Sequence, residues 1–205
     1  MVGLGNPGPG YADTRHNVGV RVLEHFAIRC GAALDARRYR SRFGAGALAA
    51  ETDGAEPLEV GLLAPQTYMN RSGEAVAAAL ADLPVAEPAH LIVVFDDVDL
   101  PFGRLRLRPG GGAGGHRGLA DIIERLGRND FPRLRVGVDR PPPGDDTAAY
   151  VLEPFTPSEA ERLPALLERA CEALECALRQ GVVPAMNRHN RDDGAETEAG
   201  GPESS

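Results

Sequence analysis

The sequence contains no lysine, so arginine carries all of its positive side-chain charge at neutral pH. Without lysine the chain cannot contain a P-loop lysine, a Schiff-base lysine or a lysine general base. A serine nucleophile is also disfavoured, because none of the serines lies in a Gly-x-Ser-x-Gly motif; they are Ser41, Ser72, Ser158, Ser204 and Ser205. If the chain is a hydrolase, we expect water to attack its substrate directly.

Cysteine and long apolar runs are scarce as well. Cys30, Cys171 and Cys176 lie in helical patterns without Cys-x-x-Cys spacing, which predicts buried free thiols rather than a redox or metal site. No apolar stretch approaches the roughly 18 residues that span a bilayer. The first residues do not form the basic, apolar and small-residue segments of a secretory leader. We therefore expect a cytoplasmic protein that does not associate with membranes.

The charge of the chain is unevenly distributed. The formal net charge is −8, yet residues 101–140 contain nine arginines and four acidic residues, a local charge of +5. Residues 1–100 and 141–205 are both acidic on balance. An acidic protein with one basic stretch is typical of a focused site for a polyanion, rather than of a protein that coats nucleic acid.

Strand and helix patterns alternate along the chain, which predicts an α/β fold with a central sheet. The predicted strands are 1–5, 39–50, 58–64, 91–95, 104–108 and 133–138. Helices are predicted at 18–30, 70–83 and 119–126, and after a capping box at Thr156, Pro157 and Glu159. Pro164 is expected to kink that last helix or to split off its first turns. Residues 1–190 suit one domain, and the acidic tail 191–205 is predicted to be disordered because it has no large apolar residue.

The glycine-rich start of the chain superficially matches a dinucleotide-binding fingerprint. Gly3, Gly5 and Gly8 have the required spacing. Pro7 and Pro9, however, hold the chain extended where the fingerprint needs a helix to open. A tight turn that presents the Asn6 side chain is therefore favoured over a nucleotide cofactor.

A histidine and a group of acids are the candidates for acid–base chemistry. His16 lies just before a predicted helix, where Thr14 or Asn17 could serve as the helix cap and His16 could be an incidental loop residue. An imidazole acts as a base only when a partner orients it. Asp96, Asp97 and Asp99 follow a buried strand, at the edge where open α/β sheets place their sites. These acids could instead bind a divalent metal or be solvated loop residues, but no second cluster has ligand spacing, so we expect no metal.

Two further segments carry weaker signals. The segment TYMNRSG, residues 67–73, contains Asn70 and Ser72, which would ordinarily be interpreted as helix caps. The segment GGGAGGHRG, residues 110–118, contains His116, which could simply fold back on the glycine loop.

Taken together, the motifs resemble one family. GLGNPGPGYADTRHNVG, PQTYMNRSGEAV, FDDVDLPFGRLRLRPGGGAGGHRGL and FPRLRVGVDRP stand in the order and spacing of the bacterial-type peptidyl-tRNA hydrolases, from about Val2 to Asn187. The resemblance implies a single α/β domain with a mixed twisted sheet flanked by helices. It also implies a monomer that needs no cofactor, metal or obligate protein partner. The implied reaction is hydrolysis of the ester between a peptide and the 3′ end of tRNA.

The resemblance also implies roles for particular residues. His16 matches the catalytic base and Asp96 the aspartate that orients it, which leaves Asp97 and Asp99 structural or peripheral. Asn70 matches an asparagine that helps to stabilise the oxyanion. The positions that match substrate-binding residues are Asn6, Tyr11, Met69, His116 and Arg117. Those that match groups near the tRNA backbone and 5′ phosphate are Arg106, Arg108 and Arg135.

The sequence departs from the family pattern at two places. The family has several apolar residues before VGLGNPG, whereas this chain opens at Met1 and Val2, which implies a shortened first strand or a start site placed too late. Arg117 stands where the family has an asparagine that holds substrate and water. The alternative function is therefore an RNA-binding relative with weakened catalysis. A nucleotide-dependent oxidoreductase is a third possibility, and it would have to retain its cofactor.

Overall fold

The computed structural model describes residues 1–52, 54–83 and 90–190, so the predicted disorder of 191–205 lies outside the described residues. Seven strands form one mixed sheet in the order β2-β3-β4-β1-β5-β7-β6. The strands are β1 (Val2–Gly3), β2 (Ala36–Arg38), β3 (Ser41–Leu48), β4 (Leu58–Pro65), β5 (Val93–Asp97), β6 (Leu105–Arg108) and β7 (Arg133–Gly137). The α/β class with a mixed sheet is therefore confirmed.

Helices cover both faces of the sheet. They are α1 (Val18–Arg29), α2 (Ser72–Leu80), α3 (Arg117–Leu126), α4 (Thr147–Val151), α5 (Pro157–Gln180) and α6 (Val182–His189). The apolar faces of α1 and α5 pack with the sheet in one core, which includes Phe26 and Leu174. On the opposite face, α2 and α3 form a second core around Val76 and Ile122. Because both faces are buried, β5 is apolar on both sides until it reaches its aspartates.

The parallel strands define the edge on which polar groups collect. β1 runs parallel to β4 and β5, and β5 runs parallel to β7. The outer pairs, β2 with β3, β3 with β4, and β6 with β7, are antiparallel. The carboxyl ends of β4, β1, β5 and β7 therefore meet at one edge, where ligand sites of open α/β sheets lie.

Two glycines let α1 pack so close to the sheet that their backbones are in contact. A Cβ on Gly19 would lie 2.3 Å from the carbonyl oxygen of Val94, and a Cβ on Gly3 would lie 2.4 Å from the carbonyl oxygen of Gly19. Neither position has room for a side chain. The N-terminus of α1 is thus fixed against the ends of β1 and β5.

Short elements account for most differences from the sequence-based expectations. The hairpin between β2 and β3 turns at Tyr39 and Arg40, both with φ of 53°, although neither is a usual residue for that conformation. Neither β2 nor α4 was expected, nor was the separate helix α6. β1 is confirmed as short, with only two residues.

The last long helix is continuous. α5 contains Pro164 in its interior, and Thr156 with Glu159 forms the expected capping box at its start. The expectation that Pro164 splits the helix is wrong, because α5 runs without a break from Pro157 to Gln180, while a kink at the proline stays a prediction. Leu163, Leu166 and Leu167 bury one apolar face across the proline. Among the described residues, no helix is both long and apolar enough to cross a membrane.

The buried cysteines give a first testable prediction. Cys30, Cys171 and Cys176 are free and buried, as expected. Burial raises the pKa of the Cys171 thiol to about 12, against a smaller opposing effect of the Arg29 charge. Because the thiolate is the reactive form, native protein at pH 8 should not be alkylated at Cys171 by iodoacetamide. Protein unfolded in guanidinium should react at all three positions. Equal labelling of Cys171 in both states, measured by peptide mass spectrometry, would contradict this.

Candidate active site

His16 lies in a short 3-10 helix, Arg15–Asn17, that leads directly into α1. Neither neighbouring polar side chain caps this turn. The Thr14 hydroxyl donates to the Tyr11 carbonyl at 2.8 Å, and Asn17 is engaged with the backbone of Asn6. Thr14 and Asn17 therefore occupy the N-cap positions of this turn and of α1, but neither side chain makes the capping hydrogen bond that the alternative required. Asn70 and Ser72 are not caps either, since α2 begins after Arg71 without a side-chain cap.

Asn17 fixes the turn that presents Asn6. The Asn17 side chain accepts from the Asn6 amide at 2.8 Å and donates to the Asn6 carbonyl at 3.0 Å. The Asn6 side-chain oxygen in turn accepts from the Met69 amide at 2.9 Å. This bond orients the Asn6 amide group. Within the described part of the chain, its Nδ2 donor has no partner, so it can bind a carbonyl oxygen of a ligand.

One carboxylate oxygen of Asp96 accepts hydrogen bonds from two histidines. Its Oδ1 lies 2.8 Å from His16 Nδ1 and 3.1 Å from His116 Nε2. His116 Nδ1 accepts the backbone N–H of Leu119 at 3.1 Å and so caps α3. In its neutral form, His116 must therefore carry its proton on Nε2 and donate it to Asp96. His16 likewise donates from Nδ1, which leaves a lone pair on its Nε2.

The charge on Asp96 is stable in this setting. Its side chain is only 3% exposed. Burial by itself would raise the pKa of this carboxyl, but the imidazole partners, His116 more than His16, outweigh burial and hold the pKa well below its usual range. Asp96 is thus ionised at neutral pH. It can orient and polarise His16, but it cannot act as the acid.

The same three side chains are also a possible metal-binding group. Ligand atoms of His16, Asp96 and His116 lie within 4.8 Å of one another. A metal on His116 Nε2 would require the ring proton on Nδ1, which would then face the Leu119 N–H and break the cap of α3. A metal on His16 Nδ1 would leave the proton on Nε2. The hydrogen bonds of this group therefore fit an orienting aspartate better than a metal ion.

A cavity of about 990 Å³ opens beside these groups. It brings together most of the expected site residues, namely Asn6, His16, Met69, Asn70, Asp96, Arg108, His116, Arg117 and Arg135. The His16 and His116 rings lie 5.0 Å apart between centroids. Tyr11 and Arg106 do not line the cavity: Tyr11 ends the 3-10 helix Pro9–Tyr11, and Arg106 lies on β6, opposite Arg135 of β7.

The cavity wall beyond His116 is basic. Arg135 forms an ion pair with Asp97, which also accepts the Asp99 amide at 2.9 Å. Asp97 is therefore more than a peripheral acid, because it sets the position of Arg135. Arg108 and Arg117 are exposed on the cavity wall, and neither has an ionic or hydrogen-bonding partner within the part of the chain that is described.

Sequence reasoning missed Arg133, which is 2% exposed. Its guanidinium donates to the carbonyls of Gly111 at 2.7 Å, Gly112 at 3.2 Å and Asn129 at 2.8 Å. It thereby holds the glycine loop against the start of β7. β7 also contains Arg135, so the sequence offered no signal that singled out Arg133 as the buried arginine.

Sequence reasoning also missed the part of the cavity wall that comes from α4. Five residues in and around α4 line the cavity there: Asp146, Thr147, Ala148, Val151 and Leu152. A five-residue helix in a stretch rich in proline and aspartate gives no periodic pattern that could have predicted it.

Comparison with known proteins gives one consistent result. The family model described as peptidyl-tRNA hydrolase matches residues 1–197. A peptidyl-tRNA hydrolase of Symbiobacterium thermophilum is 49% identical over 190 residues, which cover 93% of this chain and 97% of that protein. One from Roseiflexus sp. strain RS-1 is 47% identical, with 93% and 84% covered.

Solved structures agree with the sequence matches. The crystal structure of peptidyl-tRNA hydrolase from Acinetobacter baumannii superposes with a TM-score of 0.80 at 34% identity, and the match covers 92% of each chain. The fold is thus shared along with the sequence. The chain belongs to the peptidyl-tRNA hydrolase family.

Proposed function

We propose that this protein hydrolyses the ester between a peptide and the 3′ end of tRNA, with water activated by His16. The observation that carries the proposal is the double hydrogen bond to Asp96. It leaves His16 Nε2 as a proton acceptor in a cavity that also presents amide donors and arginines. The relatives are named for the same reaction.

The chemistry needs no covalent intermediate. As the water oxygen attacks the ester carbonyl, His16 Nε2 takes up one water proton, and the charge of the resulting imidazolium is balanced by Asp96. Asn70 lies on the cavity wall, where its amide can donate to the oxyanion, while Asn6 Nδ2 can bind a peptide carbonyl. When the carbon–oxygen bond breaks, the ribose oxygen leaves and takes the proton from His16.

The arginines suit the rest of the substrate. Arg108 and Arg135 lie on the cavity wall beyond His116, where guanidinium groups can bind phosphate oxygens of tRNA in a forked geometry. Arg106, opposite Arg135 on β6, extends this charge outside the cavity. All the groups come from one chain. That the protein acts on tRNA in the cytoplasm, as a monomer and without a cofactor, is part of the proposal and rests on the family resemblance.

Replacement of the proposed base is the most direct test. We expect His16→Ala to lower kcat/KM on N-blocked aminoacyl-tRNA by about 10²–10⁴-fold, the usual contribution of a positioned base. Asp96→Asn should have a smaller effect, because it disturbs the orientation of His16 without removing it. tRNA affinity, measured by filter binding, should stay close to wild type in both variants. Near-normal turnover by His16→Ala would show that another group is the base. Wild-type protein that binds tRNA but releases none would favour the RNA-binding alternative.

The phosphate-binding role predicts a dependence on substrate length. Arg108→Ala and Arg135→Ala should raise KM for full-length substrate and reduce the slope of log kcat/KM against log salt by about 0.7–0.9 for each lost phosphate contact. A short substrate without the 5′ phosphate should hardly change. Arg37→Ala, an exposed arginine of β2 that does not line the cavity, is the matched control. Equal losses on long and short substrates would argue against phosphate binding.

Arg117 is the site residue that departs from the family pattern, and its replacement by asparagine is a further test. An arginine offers only donors on a long stem, whereas asparagine offers a donor and an acceptor and can hold a water molecule. We expect Arg117→Asn to raise kcat, by up to about 10²-fold if water alignment limits the wild type, and to weaken tRNA binding. Both quantities should be measured for both proteins. An asparagine variant that is no faster than wild type would show that Arg117 does not impair the alignment.

A further inference from the structure

Arg15, the residue before His16, is an unusually well-connected buried cation. Its side chain is 4% exposed. One terminal nitrogen donates to the Pro154 carbonyl at 3.0 Å and, at 3.5 Å, to that of Tyr150; the other donates to Glu159 at 2.9 Å. Its backbone N–H donates to the Glu153 carbonyl at 3.1 Å. Side chain and backbone therefore both attach this position to the segment that follows α4.

Aromatic rings complete the enclosure of the guanidinium. Its carbon lies 4.2 Å from the centroid of the Tyr150 ring and 5.8 Å from that of Phe155. The same Glu159 oxygen that accepts from Arg15 also accepts the Thr156 amide at 2.7 Å, within the capping box of α5. Arg15 thus joins three pieces of chain: the turn that carries His16, the end of α4 and the start of α5.

The end of α4 matters because five of the residues 146–152, a segment called here the α4 wall, line the cavity. This helix has only five residues, of which Val151 alone is buried. Residues 141–144 before it are three prolines and a glycine, so the approach from β7 provides no regular element to hold it. The Tyr150 hydroxyl bonds to the Val138 carbonyl at 2.9 Å. Within the described residues, α4 and the residues just after it are also attached to the turn of His16, through the bonds of Arg15 to the carbonyls of residues 150, 153 and 154.

We infer that Arg15 is a positioning residue that couples the α4 wall to His16, so that the surface facing the substrate and the proposed base are held as one unit. The carbonyls of residues 150, 153 and 154 all bond to Arg15, and the next residue in the chain donates to Asp96. Loss of the guanidinium removes the hydrogen bonds that tie the α4 wall to the turn of His16. Both segments, which flank the substrate, are then free to move relative to each other. The kinetic part of this inference rests on the proposed hydrolase function.

The first measurement does not depend on activity. Amide hydrogen exchange is compared for wild type, Arg15→Lys, Arg15→Met and Glu159→Gln. We expect Arg15→Met to speed exchange about 10-fold or more at residues 147–153 and in the turn 15–17, with smaller effects of Arg15→Lys and Glu159→Gln. Leu166→Ala is the control, since it removes a buried core side chain from α5 and leaves the hydrogen bonds of Arg15 in place. It should lower thermal stability without selective exchange at these sites.

The second measurement is kinetic, on N-blocked aminoacyl-tRNA well below the unfolding temperature. Arg15→Met should both raise KM and lower kcat, for a combined loss of about 10–100-fold, because small misplacements of reacting groups are costly. Arg15→Lys should recover part of this loss. Leu152→Ala alters the α4 wall directly, so its effect on KM should be non-additive with that of Arg15→Met. Leu166→Ala should leave both constants unchanged.

The outcomes distinguish failure of the coupling by Arg15 from failure of the proposed hydrolase function. Selective exchange in the α4 wall together with a loss in both constants supports the coupling. If Arg15→Met behaves like Leu166→Ala, with lower stability only, Arg15 is merely structural and the inference is overturned. If Arg15→Met does not fold, Arg15→Lys and Glu159→Gln decide by the same criteria. If the wild type has no turnover, the proposed function fails, while the exchange data still decide whether Arg15 holds the wall.

Discussion

The shared oxygen of Asp96 is the contact on which the site depends. Two imidazoles donate to it from different parts of the chain, one from the turn before α1 and the other from the first residue before α3. His116 can donate only because its other nitrogen accepts the Leu119 amide. The start of α3 and the tautomer of His16 are therefore set by one connected series of hydrogen bonds. Two imidazoles that each donate to one buried carboxylate satisfy all of these bonds at once.

Other side-chain hydrogen bonds fix the segments around the histidines and Asp96. Asn17 holds the backbone of Asn6, and Asn6 receives the amide of Met69, so the two segments beside His16 cannot shift independently. Arg133 holds the glycine loop through carbonyl oxygens. In each case a side chain bonds to backbone groups of a segment outside the strands and α-helices. The site is thus built from loops, but its loops are fixed by side chains rather than by a ladder of backbone bonds.

Much of this arrangement could be predicted from the sequence. The alternation of strands and helices was sufficient for the α/β class, and the acids after the buried strand were sufficient to place Asp96 at the carboxyl edge of the sheet. The roles of the histidines and asparagines were available only through the resemblance, because nothing local shows that His16 and Asp96, 80 residues apart, form a bond. β2 and α4 are too short to give a periodic pattern.

The glycines at the start of the chain show why a motif can mislead. Gly3 and Gly5 match a nucleotide fingerprint, yet a Cβ on Gly5 would lie 2.7 Å from the Val20 side chain and one on Gly3 would strike the backbone of Gly19. Their spacing reflects the close packing of α1 on β1. Close helix packing and phosphate binding thus both require glycines at this spacing. Only the position of the following helix shows which of the two reasons applies.

The arginines of the cavity wall have a chemical consequence beyond their charge. An ester in the cavity would lie among cationic side chains, and a lysine there could lose its proton and attack the acyl group as an amine. Guanidinium groups stay protonated at every physiological pH and have no free lone pair to offer. With no lysine in the sequence, Arg108, Arg117 and Arg135 can hold anions beside an activated acyl group without becoming acylated themselves. Water is then left without a competing amine side chain.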